Sequence, residues 1–341
     1  MSAQHKAMAQ LGMPVEQSIA EFEKVAQSFG LEPERSESAL VIHARLGRIE
    51  LGRGSGEDTI LSISAEAANK LQDMRDLLTE RITTLGAQIS WRDVAAHRGR
   101  PANLSVVSVT EVRQISPSYR RVTIEGDDLA RFVEGGMHFR LLFGPDGADW
   151  PGTDENGVTV WPGGIEAWHR PVYTTRAIEI LGDGAARIEF DIFLHDGGRV
   201  TEWSAGVAPG AQIAITGPGG SGMPAETGWI GVIADETAVP VAARILQGLP
   251  EHSRGVATFF VPEAADVQEI DHPKGVSVHW EVRSSGVTPL DALEALSVPD
   301  EDCYVFFAAA RSQAVEARQR LTARGLAKKS FLAAAYWNDG A

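Results

Sequence analysis

The feature that most constrains the fold is the alternation of strand-like and helix-like segments after residue 227. Apolar runs such as GWIGVIA and DCYVFFAAA alternate with helical segments such as ETAVPVAARILQGL and SQAVEARQRLTARG. Parallel strands need a crossover connection, usually a helix, so this alternation predicts a parallel sheet with helices on its faces. The sequence therefore predicts a C-terminal, doubly wound α/β domain over residues 227–341.

Residues 103–222 show a different pattern, in which short strands follow one another with turn residues between them. The six segments are SVVSVTEVRQISP, YRRVTIEGDDL, MHFRLLFG, RPVYTTRAIEI, ARIEFDIFLH and AQIAITGP. Six strands with little helix predict an antiparallel barrel or sandwich. The insert PDGADWPGTDENGVTVWPGG is rich in Gly, Pro and Asp, and it predicts a long loop over one rim.

Residues 1–98 predict a small α+β domain. Apolar residues recur at helical spacing in PVEQSIAEFEKVAQSFG, and two strand-like segments, ALVIHARLGRIELGRG and DTILSISA, follow. A second helix is predicted to open at Ser64, with Ser64 and Glu66 as a cap-like start. Its apolar stripe is predicted to hold Leu71, Met74, Leu77, Leu78 and Ile82. No nucleophile–base pair or metal-ligand spacing occurs in this segment.

The stretch GPGGSG at residues 217–222 has the G-x-G-x-x-G spacing of a dinucleotide-binding turn, through Gly217, Gly219 and Gly222. That turn needs a strand before it and a helix opening on it, because the helix N-terminus holds the pyrophosphate. A proline-bearing loop and a second apolar strand follow here. The stretch is therefore predicted to connect two domains.

Composition limits the classes of partner. The net charge is −15 and no Lys/Arg run occurs, so nucleic-acid binding is not expected. No apolar run approaches the roughly 18 residues of a membrane span, and the N-terminus lacks the pattern of a secretory signal. Cys303 is the single cysteine, which excludes an intrachain disulfide and fits a cytoplasmic protein. An anion site must then gather Arg or Lys from separate segments.

Motifs for several common chemistries are absent from the sequence. H-E-x-x-H, G-x-S-x-G and G-x-x-x-x-G-K-[ST] do not occur, which argues against the usual protease, lipase and NTPase sites. The nine histidines never fall at i, i+4 on one predicted helix, so no resident metal site is expected.

Five motifs occur in order across residues 103–341. They are RPVYTTR (170–176), FLHDGGRVTEW (193–203), TGPGG (216–220), ADETAVPVAARIL (234–246) and AAAYW (333–337). Together they resemble the siderophore-interacting protein family of flavin-dependent ferric-siderophore reductases, within the ferredoxin-reductase superfamily. The resemblance implies a six-stranded FAD-binding barrel over residues 103–222, an NAD(P)H-binding domain over 227–341, and FAD between them. Residues 1–98 are similar to a small domain of unknown function sometimes fused to such reductases.

The motifs also have a physical interpretation. On the strand of the first motif, RPVYTTR, the Tyr173 ring is predicted to lie against the flavin and Thr174 at the edge of the flavin ring. Either Arg170 or Arg176 is predicted to pair with the pyrophosphate. Members of the family usually have the sequence Arg-x-Tyr-Thr, with the arginine two residues before the tyrosine. In this chain the upstream arginine, Arg170, lies three residues before Tyr173. His195 ends a strand, and the glycines after it let the backbone approach a ligand at the start of a short helix.

The DETA motif follows a buried strand, where ligands of open α/β sheets bind, and Pro240 fits the first turn of its helix. The resemblance places these residues and the Tyr336–Trp337 pair beside FAD and the nicotinamide. The predicted cofactor-binding residues are Arg170, Tyr173, Thr174, Arg176, His195, Gly197, Gly198, Val200, Thr201, Thr216, Asp235, Glu236, Thr237, Ala238 and Trp337. The predicted basic substrate patch is Arg140, Arg311, Lys328 and Lys329.

The resemblance implies that FAD accepts a hydride from NADPH or NADH and passes single electrons to Fe(III) in a siderophore. Iron(II) is held less tightly by hard oxygen ligands, so reduction releases the metal. The chemistry belongs to the flavin, and no catalytic side chain is required. Two alternatives stay open: a general flavin or ferredoxin-type reductase, and a non-catalytic siderophore-binding module. The sequence does not predict the oligomeric state.

Overall fold

The computed structural model describes residues 5–36, 38–54, 58–92, 99–224 and 226–339 of the 341-residue chain. Residues 93–98, where the first predicted domain ends, lie outside the described residues. The chain divides into two compact units. Unit 1 comprises Met1–Ser105, Leu141–Arg170 and Ala214–Gly217, and unit 2 comprises Val106–Arg140, Pro171–Ile213 and Pro218–Ala341.

The described elements are numbered in chain order. The strands are β1 (His5–Pro14), β2 (Glu34–Arg35), β3 (Ala39–Ala44), β4 (Gly47–Arg53), β5 (Asp58–Ala65), β6 (Ile89–Arg92), β7 (Leu104–Ser116), β8 (Tyr119–Gly126), β9 (His138–Leu142), β10 (Gly152–Thr153), β11 (Thr159–Val160), β12 (Val172–Thr174), β13 (Ala177–Gly182), β14 (Ala185–Phe193), β15 (Gln212–Gly219), β16 (Trp229–Ala234), β17 (Arg254–Val261), β18 (Gly275–Val282), β19 (Cys303–Ala310) and β20 (Phe331–Trp337). The helices are α1 (Val15–Ser28), α2 (Ala68–Thr84), α3 (Arg199–Gly206), α4 (Val239–Gln247), α5 (Pro289–Ala295) and α6 (Arg311–Ala323).

Unit 1 contains a six-stranded antiparallel sheet in the order β2-β3-β4-β5-β1-β6. Alternate residues of its strands are buried in one core together with apolar residues of α1 and α2. This agrees with the α+β pattern predicted for the N-terminal segment. Strand β1 was not predicted, because its sequence, HKAMAQLGMP, has few β-branched or aromatic residues.

Two predictions about α2 are wrong. The helix begins at Ala68 and has no side-chain cap, because Ser64 belongs to β5, where it pairs with Lys6 and Arg48. Ala65 extends that strand because it is buried in the core. Leu77 is 56% exposed and lies outside the apolar stripe, whereas Met74 and Ile82 are buried as predicted.

The Gly- and Pro-rich insert belongs to unit 1, and it is more ordered than the predicted loop. It contains the antiparallel pair β10–β11, and Val158 packs against the N-terminal core. The Asp76 carboxylate on α2 accepts hydrogen bonds from the Thr159 backbone N–H at 2.9 Å and from its hydroxyl at 2.6 Å. Gln72 donates to the Gly157 carbonyl at 2.9 Å and to the Asp76 carboxylate at 2.9 Å. The N-terminal segment therefore holds this hairpin directly.

Replacing Asp76 by alanine is expected to destabilise unit 1 by about 2–4 kcal/mol, because hydrogen bonds to a charged group are worth about 1.5–3 kcal/mol each and their donors become unpaired. Urea unfolding of the parent and the variant measures the difference in free energy. Glu80→Ala is the matched control, since Glu80 is an exposed acid on the same helix and is expected to change stability by less than about 0.5 kcal/mol. Equal stability of Asp76→Ala and the parent would contradict the assignment.

The strands predicted over residues 103–222 form one sheet in the order β12-β9-β15-β7-β8-β14-β13. It has seven strands, because the predicted strand RPVYTTRAIEI is broken at Thr175 and Arg176. The Thr175 N–H donates to the Met137 carbonyl and the Arg176 N–H to the Glu189 carbonyl, each at 2.8 Å. At these two residues the chain thus changes its partner strand, from β9 to β14. The pairs β9–β12, β13–β14, β8–β14 and β7–β8 are antiparallel.

The C-terminal part of unit 2 contains a five-stranded parallel sheet in the order β18-β17-β16-β19-β20. Val232 and Ala234 of β16 pack with α4 on one face, and Ile233 packs with α5 and α6 on the other. The strand order reverses between β16 and β19, so the carboxyl ends of these two strands flank the topological switch point. Ligands of open α/β sheets bind in the crevice at such a point.

The GPGGSG stretch is not followed by a helix, as predicted. Strand β15 runs through Gly219, and among the described residues the next regular element is β16, beginning at Trp229. No helix of the described chain has both the length and the apolar character that crossing a membrane requires.

Candidate functional site at the carboxyl edge of the parallel sheet

Asp235 is the first residue after β16, and its carboxylate organises the crevice. It is only 4% exposed and accepts four hydrogen bonds. Three come from the following turn: the Thr237 N–H at 3.0 Å, the Thr237 hydroxyl at 2.6 Å and the Ala238 N–H at 3.2 Å. The fourth comes from the Trp337 indole N–H at 2.7 Å. Burial raises the pKa of Asp235, and the donors from Thr237 and Trp337 oppose that shift.

Glu236 connects this turn to the antiparallel sheet. Its carbonyl accepts a hydrogen bond of 2.6 Å from the hydroxyl of Tyr119, the first residue of β8. Tyr119 is fully buried, and its ring lies 5.5 Å from that of Phe193, two residues before His195. Burial, then the nearby Glu236, raises the pKa of Tyr119 well above its usual value. The Glu236 carboxylate forms an ion pair with Arg283, which follows β18.

A second connection joins the end of β20 to β9. The ring Nε2 of His138 lies 2.9 Å from the Tyr336 hydroxyl, and His138 pairs with Thr174 across β9 and β12. His138 Nδ1 is buried and has no partner among the described residues. Thr174, His138, Tyr336, Trp337, Asp235, Glu236, Tyr119 and Phe193 therefore form a continuous series of contacts around the crevice.

The turn after β14 presents the start of a helix. Gly197 has a positive φ of 70°, and Gly198 is the N-cap of α3, so no capping side chain covers this helix end. The Thr201 hydroxyl accepts a hydrogen bond of 3.3 Å from the His195 backbone N–H. Backbone N–H groups at a helix start attract anions, and Glu202 in the same turn opposes that attraction.

The two predicted pyrophosphate arginines are placed differently. Arg170 lies in unit 1, with its guanidinium 5.1 Å from the centre of the Trp161 ring. Arg176 lies in unit 2 and is 7% exposed; it donates to the Gln247 side chain, and its Nε is 3.9 Å from Asp191. Burial lowers the pKa of Arg176.

Of the other predicted cofactor residues, Val200 and Ala238 are buried at the starts of α3 and α4. The Tyr173 ring lies 5.4 Å from the Phe190 ring, and burial raises the pKa of Tyr173. Thr216 lies within β15, in unit 1.

The predicted basic patch is not brought together. Arg311 begins α6 just after the carboxyl end of β19, whereas Lys328 and Lys329 precede β20. Since β19 and β20 are parallel, Lys328 and Lys329 lie at the opposite edge of the sheet, roughly 20 Å away along the strand. Arg140 lies on β9 opposite Val172. The sequence offered these cations as members of one anion site but could not show which edge of the sheet each one occupies.

Models of known families match two adjacent stretches of the chain. The siderophore-interacting FAD-binding domain matches residues 108–222, and the siderophore-interacting protein domain matches residues 227–340. The chain belongs to the siderophore-interacting protein family. This confirms the resemblance identified from the motifs.

Relatives of the family are similar over the same region. The chain is 27% identical over 242 residues to ferric vibriobactin reductase ViuB of Vibrio cholerae, which covers 67% of this chain and 87% of that protein. It is 26% identical over 241 residues to the NADPH-dependent ferric-chelate reductase of Escherichia coli, covering 68% and 92% respectively. The crystal structure of a siderophore utilization protein from T. fusca aligns with a TM-score of 0.62 and 28% identity, covering 70% of this chain and 94% of that chain.

The site of this family member fits FAD on structural grounds. A Cβ at Gly197 would meet no atom within 4 Å, so the turn before α3 has open space for a ligand to approach the backbone. One buried side-chain polar atom in each of His138, Thr175 and Arg176 has no hydrogen-bond partner among the described residues. An uncapped helix start and unused buried donors suit a ligand with a pyrophosphate and a polar ring system.

Sequence reasoning missed three residues of this family member's site: Tyr119, His138 and Arg283. Tyr119 begins a strand, and nothing in the sequence marks it as the partner of Glu236. His138 becomes notable only when the pairing of β9 with β12 places it opposite Thr174. Arg283 follows β18, at the same carboxyl edge as Asp235. That position is a usable signal, because carboxyl ends of parallel strands share one edge.

His138 is expected to stay neutral far below neutral pH. Burial, with a smaller effect of Arg244, lowers its pKa from 6.5 to about 4. The unfolded state therefore binds more protons between pH 6.5 and pH 4, so the stability from neutral His138 is complete above pH 6.5 and is lost as the pH falls towards 4. The loss amounts to about 3 kcal/mol at 1.36 kcal/mol for each pKa unit.

Histidine ring NMR across pH 3.5–8 measures this pKa, and the His138→Gln variant assigns the resonance. The variant is also expected to flatten the fall of stability between pH 6.5 and 4. A His138 resonance that titrates near pH 6.5 would contradict the burial argument.

Proposed function

We propose that the protein is an FAD-dependent, NAD(P)H-dependent ferric-siderophore reductase. The observation that carries the proposal is the series of hydrogen bonds within unit 2 that joins the Asp235 turn to Trp337, Tyr336 to β9, and Glu236 to β8. Two relatives support the substrate class: one is a ferric vibriobactin reductase and the other an NADPH-dependent ferric-chelate reductase.

The antiparallel sheet is proposed to close into the flavin-binding barrel of residues 103–222. Its two edge strands, β12 and β13, are joined by Thr175 and Arg176 alone. Such a link spans at most roughly 11 Å, whereas seven strands about 4.8 Å apart would make a flat sheet about 29 Å wide. The short link supports a curled, closed sheet. Residues 1–98 and 227–341 complete the proposed three-domain division.

Each element of the crevice has a proposed role. The α3 turn, with Gly197, Gly198, Val200 and Thr201, holds the pyrophosphate, and Tyr173 and Thr174 hold the ring system. The Asp235–Ala238 turn positions the nicotinamide nucleotide, and Trp337 covers the ring from the other side. Arg176 is engaged by Gln247 and Asp191, which favours backbone N–H groups of the α3 turn as the main pyrophosphate ligands.

When bound, FAD couples a two-electron hydride donor to an acceptor that takes one electron at a time. The protein's task is to bind, orient and exclude water. Asp235 keeps the Thr237 turn and the Trp337 indole fixed, and Tyr119 fixes the Glu236 backbone. Fe(III) in the siderophore is the electron acceptor, and reduction to Fe(II) weakens its hold by hard oxygen ligands. A cytoplasmic location, where reduced nicotinamide nucleotides are available, is part of the proposal.

A spectrum and a turnover assay test the function. The purified protein, given FAD, is expected to absorb at about 450 nm. It is expected to oxidise NADPH or NADH only when a ferric siderophore is present. A ferrous-specific chromogenic chelator measures the Fe(II) that is released. Saturation with hydroxamate or catecholate iron complexes is expected. Equal rates with free flavins and dyes would favour a general reductase, and a protein that takes up no FAD would favour a non-catalytic binding module.

A further inference from the structure

Helix α4 carries a half-buried cation, Arg244, that has no role in the proposed flavin and nicotinamide sites. The Nη1 of Arg244 donates to the Thr175 carbonyl at 2.8 Å and to the Met137 carbonyl at 3.3 Å. Among the described residues no carboxylate forms an ion pair with this guanidinium. Burial, followed by the nearby Arg176, lowers the pKa of Arg244. Partial burial of a guanidinium against carbonyls, without a carboxylate partner, carries a desolvation cost, so the segments that its hydrogen bonds hold in place are of interest.

The two carbonyl acceptors identify what Arg244 holds. Met137 directly precedes β9, and Thr175 directly follows β12. These strands pair with each other, and the pair carries His138, Tyr173 and Thr174. The Met137 carbonyl also accepts the Thr175 N–H at 2.8 Å. Arg244 therefore fastens the shared end of the two strands that are proposed to hold the flavin ring.

A second bond from α4 reaches the same segment. Gln247 lies one turn after Arg244, on the same side of the helix, and accepts a hydrogen bond from Arg176. Asp191 of β14 contacts Arg176 and forms a bidentate pair with Arg121 at 2.6 and 2.8 Å. The C-terminal end of α4 is thus bonded to both residues of the link between β12 and β13.

The N-terminal end of α4 is fixed as well. The Asp235–Ala238 turn precedes the helix, and Tyr119 holds the Glu236 carbonyl. One nine-residue helix therefore contacts the proposed nicotinamide turn at its start and the proposed flavin strands at its end. Such a helix sets the distance between hydride donor and acceptor. Reacting atoms must approach within about 3–3.5 Å, and a misplacement of about 1 Å can cost roughly a hundredfold in rate.

We infer that Arg244, assisted by Gln247, is a positioning residue that holds the flavin-bearing strands β9 and β12 in register with the nicotinamide-binding turn. The inference rests on the proposed function. In the proposed role, Arg244 acts through the backbone of Met137 and Thr175 rather than by direct contact with substrate or cofactor. A single nitrogen serves both carbonyls, so a lysine ammonium is able to replace it, whereas a methionine of similar length is not.

The test is pre-steady-state reduction of the FAD-loaded protein by NADPH. The rate constant for flavin bleaching reports positioning, and its amplitude reports the fraction of active sites. We expect Arg244→Met to lower the rate constant tenfold or more, with FAD content and NADPH affinity within twofold of the parent. We expect Arg244→Lys to recover the rate constant to within about threefold. Visible circular dichroism of the bound flavin, which follows ring orientation, is expected to change in Arg244→Met and not in Arg244→Lys.

Arg318→Met is the matched control. The Arg318 guanidinium also donates to a backbone carbonyl, that of Ala333 at 2.9 Å, but this bond joins α6 to β20 within the parallel sheet layer. An unchanged rate constant is expected. Gln247→Leu removes only the bond to Arg176 and is expected to slow flavin reduction about threefold. If Arg244→Met does not fold, the rate constant of Gln247→Leu tests the positioning role instead.

The inference is overturned if Arg244→Met reduces its flavin within twofold of the parent rate, or if Arg318→Met is slowed equally. It is also overturned if Arg244→Met loses bleaching amplitude alone, since that outcome indicates a purely structural role. Absence of flavin reduction in the parent would instead contradict the proposed function.

Discussion

Gly198→Val is expected to weaken FAD binding tenfold to hundredfold while the protein stays folded. Gly198 has φ −77° and ψ 116°, which valine adopts readily, so backbone strain is not the cause. A Cβ there would lie 2.7 Å from His195 Cε1, 2.8 Å from His195 Nε2 and 3.0 Å from the Thr201 hydroxyl. The exposed His195 ring can move aside, so the expected loss comes from the valine methyl groups, which would cover the helix start. A loss of about 1.4 kcal/mol is tenfold in affinity. The penalty falls on the turn proposed to bind the pyrophosphate.

Titration of apo-protein with FAD, followed by flavin fluorescence, measures this affinity. Gly206→Ala is the matched control, because Gly206 is at the other end of α3 and a Cβ there would meet nothing within 4 Å. The control is expected to bind FAD as the parent does. If Gly198→Val bound FAD with parental affinity, the α3 turn would not be the pyrophosphate site.

The parallel sheet was predictable because its signals are local. GWIGVIA and CYVFFAAA are short apolar runs bounded by turns, and Pro240 falls in the first turn of α4 as predicted. The DETA motif was also readable, since a polar turn directly after a buried strand must lie at the carboxyl edge. The strand order was not predicted, because alternation with helices limits the possible orders without selecting one.

The parts that failed depend on contacts between distant segments. Ser64 has a good capping side chain, yet pairing of β5 with β1 and β4 keeps it in a strand. The break at Thr175–Arg176 is invisible in RPVYTTRAIEI, because it arises from a change of partner strand. Lys328 and Lys329 were grouped with Arg311 because all three are cations near strand ends. They lie at opposite edges of the sheet, because Arg311 follows β19 and the two lysines precede the parallel strand β20. Tertiary pairing overrode local propensity in each case.

The contacts around the crevice also explain why the energetic contributions of its residues cannot be assigned one residue at a time. Asp235 is a buried acid whose pKa is raised by burial, so on its own it would destabilise the fold. Its cost is offset by donors from the next turn and from Trp337, 102 residues away. The structure of the turn and the placement of Trp337 therefore depend on one carboxylate, and their energies are expected to be coupled.

Asp235→Ala is expected to lower the free energy of unfolding by about 2–4 kcal/mol, because the two Thr237 donors and the Trp337 indole N–H lose their acceptor. Asp235→Asn is expected to cost less, since its amide oxygen still accepts from the turn. Its NH₂ group would face the Trp337 indole N–H, and two donors cannot bond each other. Asp235→Asn therefore releases Trp337 and leaves the turn in place.

A double-mutant cycle with Trp337→Phe measures that coupling. Phenylalanine keeps an aromatic ring and removes only the indole donor, so in the Asp235→Asn background it is expected to cost almost nothing further. A coupling free energy of about 1.5–3 kcal/mol is expected from urea unfolding, the range for a hydrogen bond to a charged group. Both single variants are expected to weaken NADPH binding to a similar degree, since each frees the same side chain. Additive stabilities would mean that the Trp337–Asp235 bond does not hold the end of β20 at the crevice, and the proposed cover over the flavin would fail with it.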